Sequence, residues 1–147
     1  MTNCKWVKDQ FTLFKKCKGK PRYRDVLIVT SFIESVIRDK ASKKQKKKDF
    51  KRSLEALGLT IDPTDEKKST YQQNCQYEAD CLQEINEVRV QRNELLHDII
   101  GKSLPKEYID NTIKDMAKNI ERICIKSDIV RNYFVENYGF DPKALVQ

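Results

Sequence analysis

The chain has 147 residues, and its 29 lysine and arginine side chains outnumber its 22 acidic ones to give a net charge of +7. This length is typical of one domain and is sufficient to bury a core without disulfide or metal support. Its longest apolar run, Val26-Leu-Ile-Val29, is far too short to span a bilayer, and the N-terminus lacks the apolar stretch of a signal peptide. We therefore expect one cytoplasmic domain over residues 1–147, with no membrane partner.

The first half of the chain predicts three helices, each followed by a turn or a charged segment. An amphipathic stretch over residues 6–18 ends before Gly19, and a short stretch over residues 50–57 ends before Gly58. Glycine just past the last helical turn is a common helix end. Between these two lies a helix that is apolar on most of its circumference, which predicts a central position in the core. Its main stripe is Val26, Val29, Ile33 and Val36.

The second half predicts three more helices after a loop at residues 62–66. Thr70 and Gln73 have the spacing of a capping box for the first of these helices. No alternating segment is long enough to predict a strand. Apolar residues recur at helical spacing, and we therefore predict an all-α antiparallel bundle with four core helices and short additional helices. The three stripes are Leu82, Ile85, Val88, Leu95, Ile99; then Ile109, Ile113, Met116, Ile120, Ile123; then Ile129, Val130, Tyr133, Phe134.

The positive charge is concentrated where the central helix ends. Residues 38–52 hold nine basic and two acidic side chains, whereas the rest of the chain holds 20 of each. This distribution predicts a polyanion that binds at one place, although a charged connector kept for solubility gives the same pattern. The side chains assigned to RNA contact, through phosphates and without sequence specificity, are Lys43, Lys44, Lys46, Lys47, Lys48, Lys51 and Arg52.

The cysteines do not indicate a metal site. There are five, none of them in a Cys-x-x-Cys pair, and the chain has a single histidine. We expect them to be small apolar residues of the core in a reducing compartment, and we expect no metal.

One position breaks the apolar pattern of the helix that begins the second half. Arg92 stands between Val88 and Leu95, where the spacing calls for an apolar residue. A surface arginine often pairs with a carboxylate three or four residues away, but Arg92 has none at these positions. Because an unpaired buried charge is costly, we expect its partner on another helix, on a second subunit or in a ligand. The alternative is a side chain that extends from the helix edge into solvent.

The only histidine, His97, follows five residues later. It lies one turn after Asn93, on a ridge that also contains Arg89. In a regular helix Arg92 and His97 are about 140° apart, so a shared site requires a distorted helix or pairing across an interface. A structural histidine with satisfied hydrogen bonds is the alternative.

Residues 92–97, Arg-Asn-Glu-Leu-Leu-His, resemble the Arg-x4-6-His motif of HEPN domains. These are small all-helical proteins, many of which are metal-independent ribonucleases of toxin–antitoxin, abortive-infection and other defence systems. Two further stretches are similar to the family, and the likeness covers roughly residues 23–125. They are Phe50-x3-Leu54-x2-Leu57-Gly58-Leu59 and Ile85-x2-Val88-x3-Arg92-Asn93.

The resemblance implies a homodimer in which the two motifs meet and form one composite RNA-cleaving site that needs no cofactor. It implies that His97 is the acid and base, that Arg92 clamps the phosphate, and that Asn93 orients one or both of them. These roles suit the chemistry of a histidine and of an arginine fork. Glu94 and Asp98, which flank the histidine, are supporting candidates.

The resemblance has one limit and one addition. In a large toxin subgroup paired with nucleotidyltransferase antitoxins, the motif continues to His-x-Tyr, and that tyrosine is modified to silence the toxin. Ile99 stands there in this chain, so the resemblance does not extend to that mode of neutralisation. Glu34 on the central helix is a candidate for the acidic partner that some members place near the motif.

The leading prediction is a metal-independent endoribonuclease of a defence or growth-control system. Its expected partners are RNA and a second copy, and a cognate antitoxin or defence protein is a further candidate. Two alternatives stay open. One is a non-catalytic binding module, similar to the mannitol operon repressor family. The other is a helical adaptor in which the basic segment contacts a partner.

Overall fold

The computed structural model describes residues 4–17, 19–42, 49–101 and 104–147, and within this part the chain is a helical bundle with one small hairpin. The prediction of an all-α fold is therefore confirmed. None of the described helices has both the length and the apolar character needed to cross a membrane. The helices are α1 (Cys4–Lys16), α2 (Tyr23–Ser42), α3 (Phe50–Ala56), α4 (Leu82–Gly101), α5 (Lys106–Lys126), α6 (Asp128–Tyr138) and α7 (Pro142–Val146), with strands β1 (Leu59–Ile61) and β2 (Ser69–Tyr71).

Helix α2 is at the centre of the bundle, as its apolar circumference predicts. It packs against α1, α3, α4, α5 and α6. Its residues Val26, Val29, Ile33 and Val36 are completely buried. Because apolar surface removed from water is the main favourable term in folding, this helix is the element on which the others assemble. It is also the element that presents Glu34 to α4.

The amphipathic stripes of the other helices close the core. On α5, Met116, Ile120 and Ile123 are completely buried, and Phe134 on α6 is 1% exposed. Phe11 of α1 packs edge-to-face on Phe134, with their ring centroids 5.1 Å apart. Edge-to-face packing of this kind is a favourable aromatic geometry. The core is one continuous cluster to which all seven helices contribute.

The hairpin is the part of the fold that the sequence analysis missed. Strands β1 and β2 pair antiparallel, with Thr60 opposite Thr70. Thr70 therefore lies in a strand, α4 begins only at Leu82, and the predicted capping box of Thr70 and Gln73 is wrong. Three-residue strands are too short for alternation to be distinguished from chance. The predicted loop at residues 62–66 is confirmed, because it connects the two strands.

The hairpin matters for function because it is fastened to α4. The side-chain amide of Gln83 donates to the Ser69 carbonyl at 2.6 Å, and that of Asn86 donates to the Glu66 carbonyl at 2.7 Å. These two hydrogen bonds, one turn apart on α4, hold the segment after β1 along the helix. Glu66 is thereby brought beside Arg89 and Lys67 beside Glu94, near the middle of α4.

Gly58 at the end of α3 is required by its surroundings. Its φ is +118°, a region that side chains with a Cβ rarely adopt, and an added Cβ would lie 2.4 Å from the Cys75 Sγ. We expect Gly58→Ala to lower the free energy of unfolding by about 2–4 kcal/mol, from backbone strain and steric overlap together. Urea denaturation measures this, with Gly19→Ala as the matched control, since nothing lies within 4 Å of a Cβ there. Equal stability of the two variants would contradict the expectation.

Candidate functional site

Arg92 extends from α4 towards α2 and α3, and its acidic partner is on another helix. Its Nη1 donates to Glu34 Oε1, and its Nη2 lies 3.4 Å from Asn93 Oδ1. The guanidinium carbon lies 5.5 Å from the centroid of the Phe50 ring, a cation–π distance. The side chains of Arg92 and Glu34 are 16% and 20% exposed. Arg92 thus combines partial burial, a carboxylate and an aromatic face, which fix the orientation of its planar fork.

Both described ends of the basic segment 38–52 meet at this arginine. At the beginning of the segment, Arg38 Nη1 lies 3.3 Å from Glu34 Oε2, so Glu34 joins Arg38 to Arg92. At the other end, the ring of Phe50 makes the cation–π contact with the guanidinium of Arg92. The segment is distant from Arg92 in sequence, but the packing of α2, α3 and α4 brings its two ends beside it.

The last basic residues of the segment differ in their surroundings. Lys51 Nζ lies 3.7 Å from Glu66 Oε1, which places it at the hairpin. Arg52 is 75% exposed, and its backbone N–H donates to Asp49 Oδ1, the N-cap of α3, at 2.8 Å. The other lysines assigned to RNA contact lie outside the described residues: Lys43, Lys44, Lys46, Lys47 and Lys48.

His97 is exposed on a different face of α4, at a cleft between α4, α5 and the hairpin. The cleft has a volume of about 600 Å³. Arg92 is not among its lining residues, so within one chain the two motif residues diverge as the helical period predicts. Asn93 is the link, because it lines the cleft and also contacts Arg92. The lining residues are Glu66, Arg89, Val90, Asn93, Glu94, His97, Leu104 and Tyr108.

A buried arginine that the sequence analysis did not assign forms one wall of the cleft. Arg89 is 5% exposed, and its Nη2 donates to Glu66 Oε1 at 2.8 Å and to Asn86 Oδ1 at 3.0 Å. The Arg89 guanidinium holds the pKa of the Glu66 carboxyl below its usual value. Arg89 was visible as part of the ridge with Asn93 and His97, whereas Glu66 could not be found without the hairpin.

Glu94 is held by two residues that no sequence motif indicated. Its Oε2 accepts a hydrogen bond from the Tyr108 hydroxyl at 2.8 Å, and its Oε1 lies 3.3 Å from Lys67 Nζ. The bond to Glu94 raises the pKa of the Tyr108 hydroxyl. Glu94 therefore belongs to the cleft with His97, and its carboxylate is oriented from α5 and the hairpin. The side chain of Asp98 lies outside the described part of the structure.

The Glu66–Arg89 pair predicts a pH-dependent stability. Because the carboxyl of Glu66 has a lower pKa in the folded protein, the pair stabilises the fold above the pKa of the unfolded chain, and this contribution is lost as the pH falls through the folded pKa. We expect Glu66→Gln to cost about 1 kcal/mol at pH 7 and progressively less as the pH falls through the folded pKa of Glu66. Chemical denaturation across this range measures it, with Glu136→Gln on α6 as an exposed control. A cost that is the same at every pH would contradict the assignment.

The distribution of charge is less simple than one basic segment in a neutral domain. Residues 1–24 hold eight basic side chains and one acidic one, while residues 53–147 hold 12 basic and 17 acidic ones. Residues 25–37 add two acidic side chains and no basic one, so the neutrality outside residues 38–52 is a cancellation between the basic residues 1–24 and the acidic remainder. On and just after α1, the exposed lysines are Lys5, Lys8, Lys15, Lys16 and Lys20. They form a second positive surface that the sequence analysis overlooked.

None of the five cysteines, all of which lie in the described part of the chain, forms a disulfide, and only some of them are core residues. Cys81 and Cys124 are buried, and burial raises the pKa of the Cys81 thiol to about 12. Cys4 is exposed, so the expectation that all five are small core residues is wrong for it. Within the described ranges, no three histidine, cysteine or acidic side chains are grouped so that they could hold a metal ion.

Comparisons of the chain with protein-family models, with curated proteins and with solved structures found no match.

Proposed function

We propose that the protein is a HEPN-like, homodimeric endoribonuclease that cleaves RNA without a metal ion. The observation that carries the proposal is the position of Arg92, where α4 meets both described ends of the basic segment. RNA gathered by the lysines of that segment has its backbone beside a preoriented arginine fork. An arginine of this kind binds a phosphate through two parallel hydrogen bonds.

The proposed reaction uses the 2′-hydroxyl of the RNA as its nucleophile. The 2′-oxygen loses its proton and attacks the adjacent phosphorus, and the bond from phosphorus to the 5′-oxygen breaks. The products are a 2′,3′-cyclic phosphate and a 5′-hydroxyl that has gained a proton. His97 accepts the proton of the 2′-hydroxyl and returns a proton to the 5′-oxygen, as the general acid and base of the step. Arg92 stabilises the charge on the phosphoryl oxygens, and Asn93 fixes the orientation of Arg92.

A second copy completes the proposed site. Arg92 and His97 leave α4 on different faces, so an Arg92 and a His97 that act on one phosphate come from two chains. Leu96, next to the histidine in the sequence, is 40% exposed and offers apolar surface to a second chain. In the complex, the phosphate displaces Glu34 from Arg92, and Glu34 keeps Arg38 as its partner.

The proposed setting is the cytoplasm, in a defence or growth-control system with a cognate antitoxin or other defence protein as a further partner. The test is RNA cleavage by the purified protein in the presence of EDTA. The proposal predicts cleavage that survives the chelator and leaves 2′,3′-cyclic phosphate ends. Cleavage that stops with EDTA, or products with 3′-hydroxyl ends, would exclude this mechanism.

A second candidate is a non-catalytic HEPN-like regulator that binds nucleic acid. The ion pair between Arg92 and Glu34 favours this alternative, because a binding module does not need an arginine guanidinium that is available to stabilise a transition state. This alternative predicts RNA binding without turnover and an unchanged affinity in His97→Ala. Cleavage that depends on His97 would exclude it.

The role of the basic segment can be tested against a matched set of lysines elsewhere in the chain. Replacing Lys43, Lys44, Lys46, Lys47 and Lys48 with glutamine should weaken RNA binding at low salt by at least tenfold. It should also flatten the dependence of log K on log salt, since each lost phosphate contact lowers that slope by about 0.7. The control replaces the same number of exposed lysines elsewhere: Lys5, Lys8, Lys15, Lys16 and Lys20. Binding isotherms at several salt concentrations distinguish the two sets, and equal losses in both would show that the segment has no special role.

A further inference from the structure

The cleft beside His97 has the chemistry of a nucleobase site more than that of a phosphate site. Its acidic residues Glu66 and Glu94 are offset by Arg89 and Lys67, which are paired with them. A negatively charged RNA phosphate gains little from such a neutral, carboxylate-bearing lining. A base, which is flat, uncharged and rich in hydrogen-bonding groups, does fit.

The walls of the cleft suit an aromatic ligand. Val90 and Leu104 supply apolar surface, and Tyr108 is 41% exposed while its hydroxyl is fixed to Glu94. A tyrosine held in this way offers a stacking face with few degrees of freedom to lose. The volume of about 600 Å³ is within the range of small-molecule sites and has room for one base with its ribose.

The carboxylate of Glu94 indicates which base. A carboxylate has about four acceptor positions, two on each oxygen. Among the described residues, Tyr108 occupies one on Oε2 and Lys67 occupies one on Oε1, and the remaining position on each oxygen is the one we assign to the ligand. Two adjacent N–H donors match this pair. Guanine presents such donors at N1 and N2, whereas adenine, cytosine and uracil each place an acceptor next to their donor.

We propose that the cleft formed by Tyr108, Glu94, Val90 and Leu104 binds one unstacked guanine of the RNA, next to the phosphate handled by His97. The guanine stacks on Tyr108 and donates to both oxygens of Glu94. The placement of the scissile phosphate rests on the proposed ribonuclease function, whereas the preference for guanine does not. Tyr108 and Glu94 are thus specificity residues that select where RNA is held.

The test uses RNA that cannot be cleaved, so binding is measured independently of catalysis. Fluorescein-labelled 2′-O-methyl hexanucleotides of uridine with A, C, G or U at the fourth position are titrated with the full chain, and fluorescence anisotropy is recorded. We expect the G oligonucleotide to bind about tenfold more tightly than the other three. Glu94→Gln should reduce this preference to less than twofold, since an amide offers one acceptor and one donor group. Glu107→Gln, an exposed control on α5, should keep it.

Tyr108→Ala reports the stacking contact. It should weaken the binding of the G oligonucleotide about tenfold and bring it close to that of the others. Circular dichroism confirms that the variants are folded. Equal binding of the four oligonucleotides by the native chain, or a guanine preference that persists in Glu94→Gln, would overturn the inference. A preference for guanine in a protein that does not cleave ordinary RNA would remove the enzyme proposal and keep the guanine site. Cleavage of ordinary RNA without a preference for guanine would remove the guanine site and keep the enzyme proposal.

Discussion

Replacement of His97 by alanine is expected to slow RNA cleavage by about 10²–10⁴-fold, the usual contribution of general acid–base catalysis. His97 is the only histidine in the chain, so no second imidazole can take over the proton transfer at neutral pH. Rates of cleavage under single-turnover conditions, in EDTA, measure the effect.

The exposure of His97 makes this a clean test. Because the side chain lies at the surface, its removal should change the free energy of unfolding by no more than about 0.5 kcal/mol. A loss of rate with unchanged stability and unchanged affinity for 2′-O-methyl RNA then reports chemistry alone. His97→Asn, which keeps a polar side chain without a titrating group, should be as slow as His97→Ala. Cleavage at the native rate in either variant would refute the assignment.

Replacement of Arg92 by alanine is expected to slow cleavage by about 10²–10³-fold, as for the loss of a donor that stabilises transition-state charge. The same change also breaks the pair with Glu34, which is 20% exposed, and we expect it to cost about 1–3 kcal/mol of stability. A drop in activity in this variant alone would therefore be ambiguous between folding and chemistry.

The double variant Arg92→Ala/Glu34→Gln separates the two effects. Removing the charge of Glu34 should restore part of the stability, because in Arg92→Ala this partly buried carboxylate keeps only its contact with Arg38. Cleavage should stay as low as in Arg92→Ala. Arg92→Lys, which keeps the charge but loses the planar fork, should also be impaired. If stability and cleavage recovered together in the double variant, Arg92 would be a structural residue only.

The helices could be predicted from the sequence because each has a stripe long enough to define its period. Met116, Ile120 and Ile123 mark α5, and the apolar circumference of α2 marks a central helix. Strands β1 and β2 could not be predicted, since three residues cannot display a period of two convincingly. Because these strands were not predicted, the beginning of α4, the helix with Arg92 and His97, was predicted near Thr70, whereas it lies at Leu82.

The site was predictable only in part, for a related reason. Arg92 and His97 stand out within a single helix, as a charge in an apolar stripe and as a unique residue. Their neighbours come from elsewhere in the fold: Glu34 from α2, Glu66 and Lys67 from the hairpin, and Tyr108 from α5. Contacts between residues 14 to 58 positions apart depend on packing, which helical periodicity does not encode.

The central claim is that one active site uses the Arg92 of one chain and the His97 of another. Mixing the two inactive variants, Arg92→Ala and His97→Ala, after co-refolding or co-expression tests it most directly. Each mixed dimer then holds one intact Arg92 and one intact His97 on different chains. The account predicts that the mixture cleaves RNA far faster than either variant alone. A mixture that forms mixed dimers and remains as inactive as its components would contradict it.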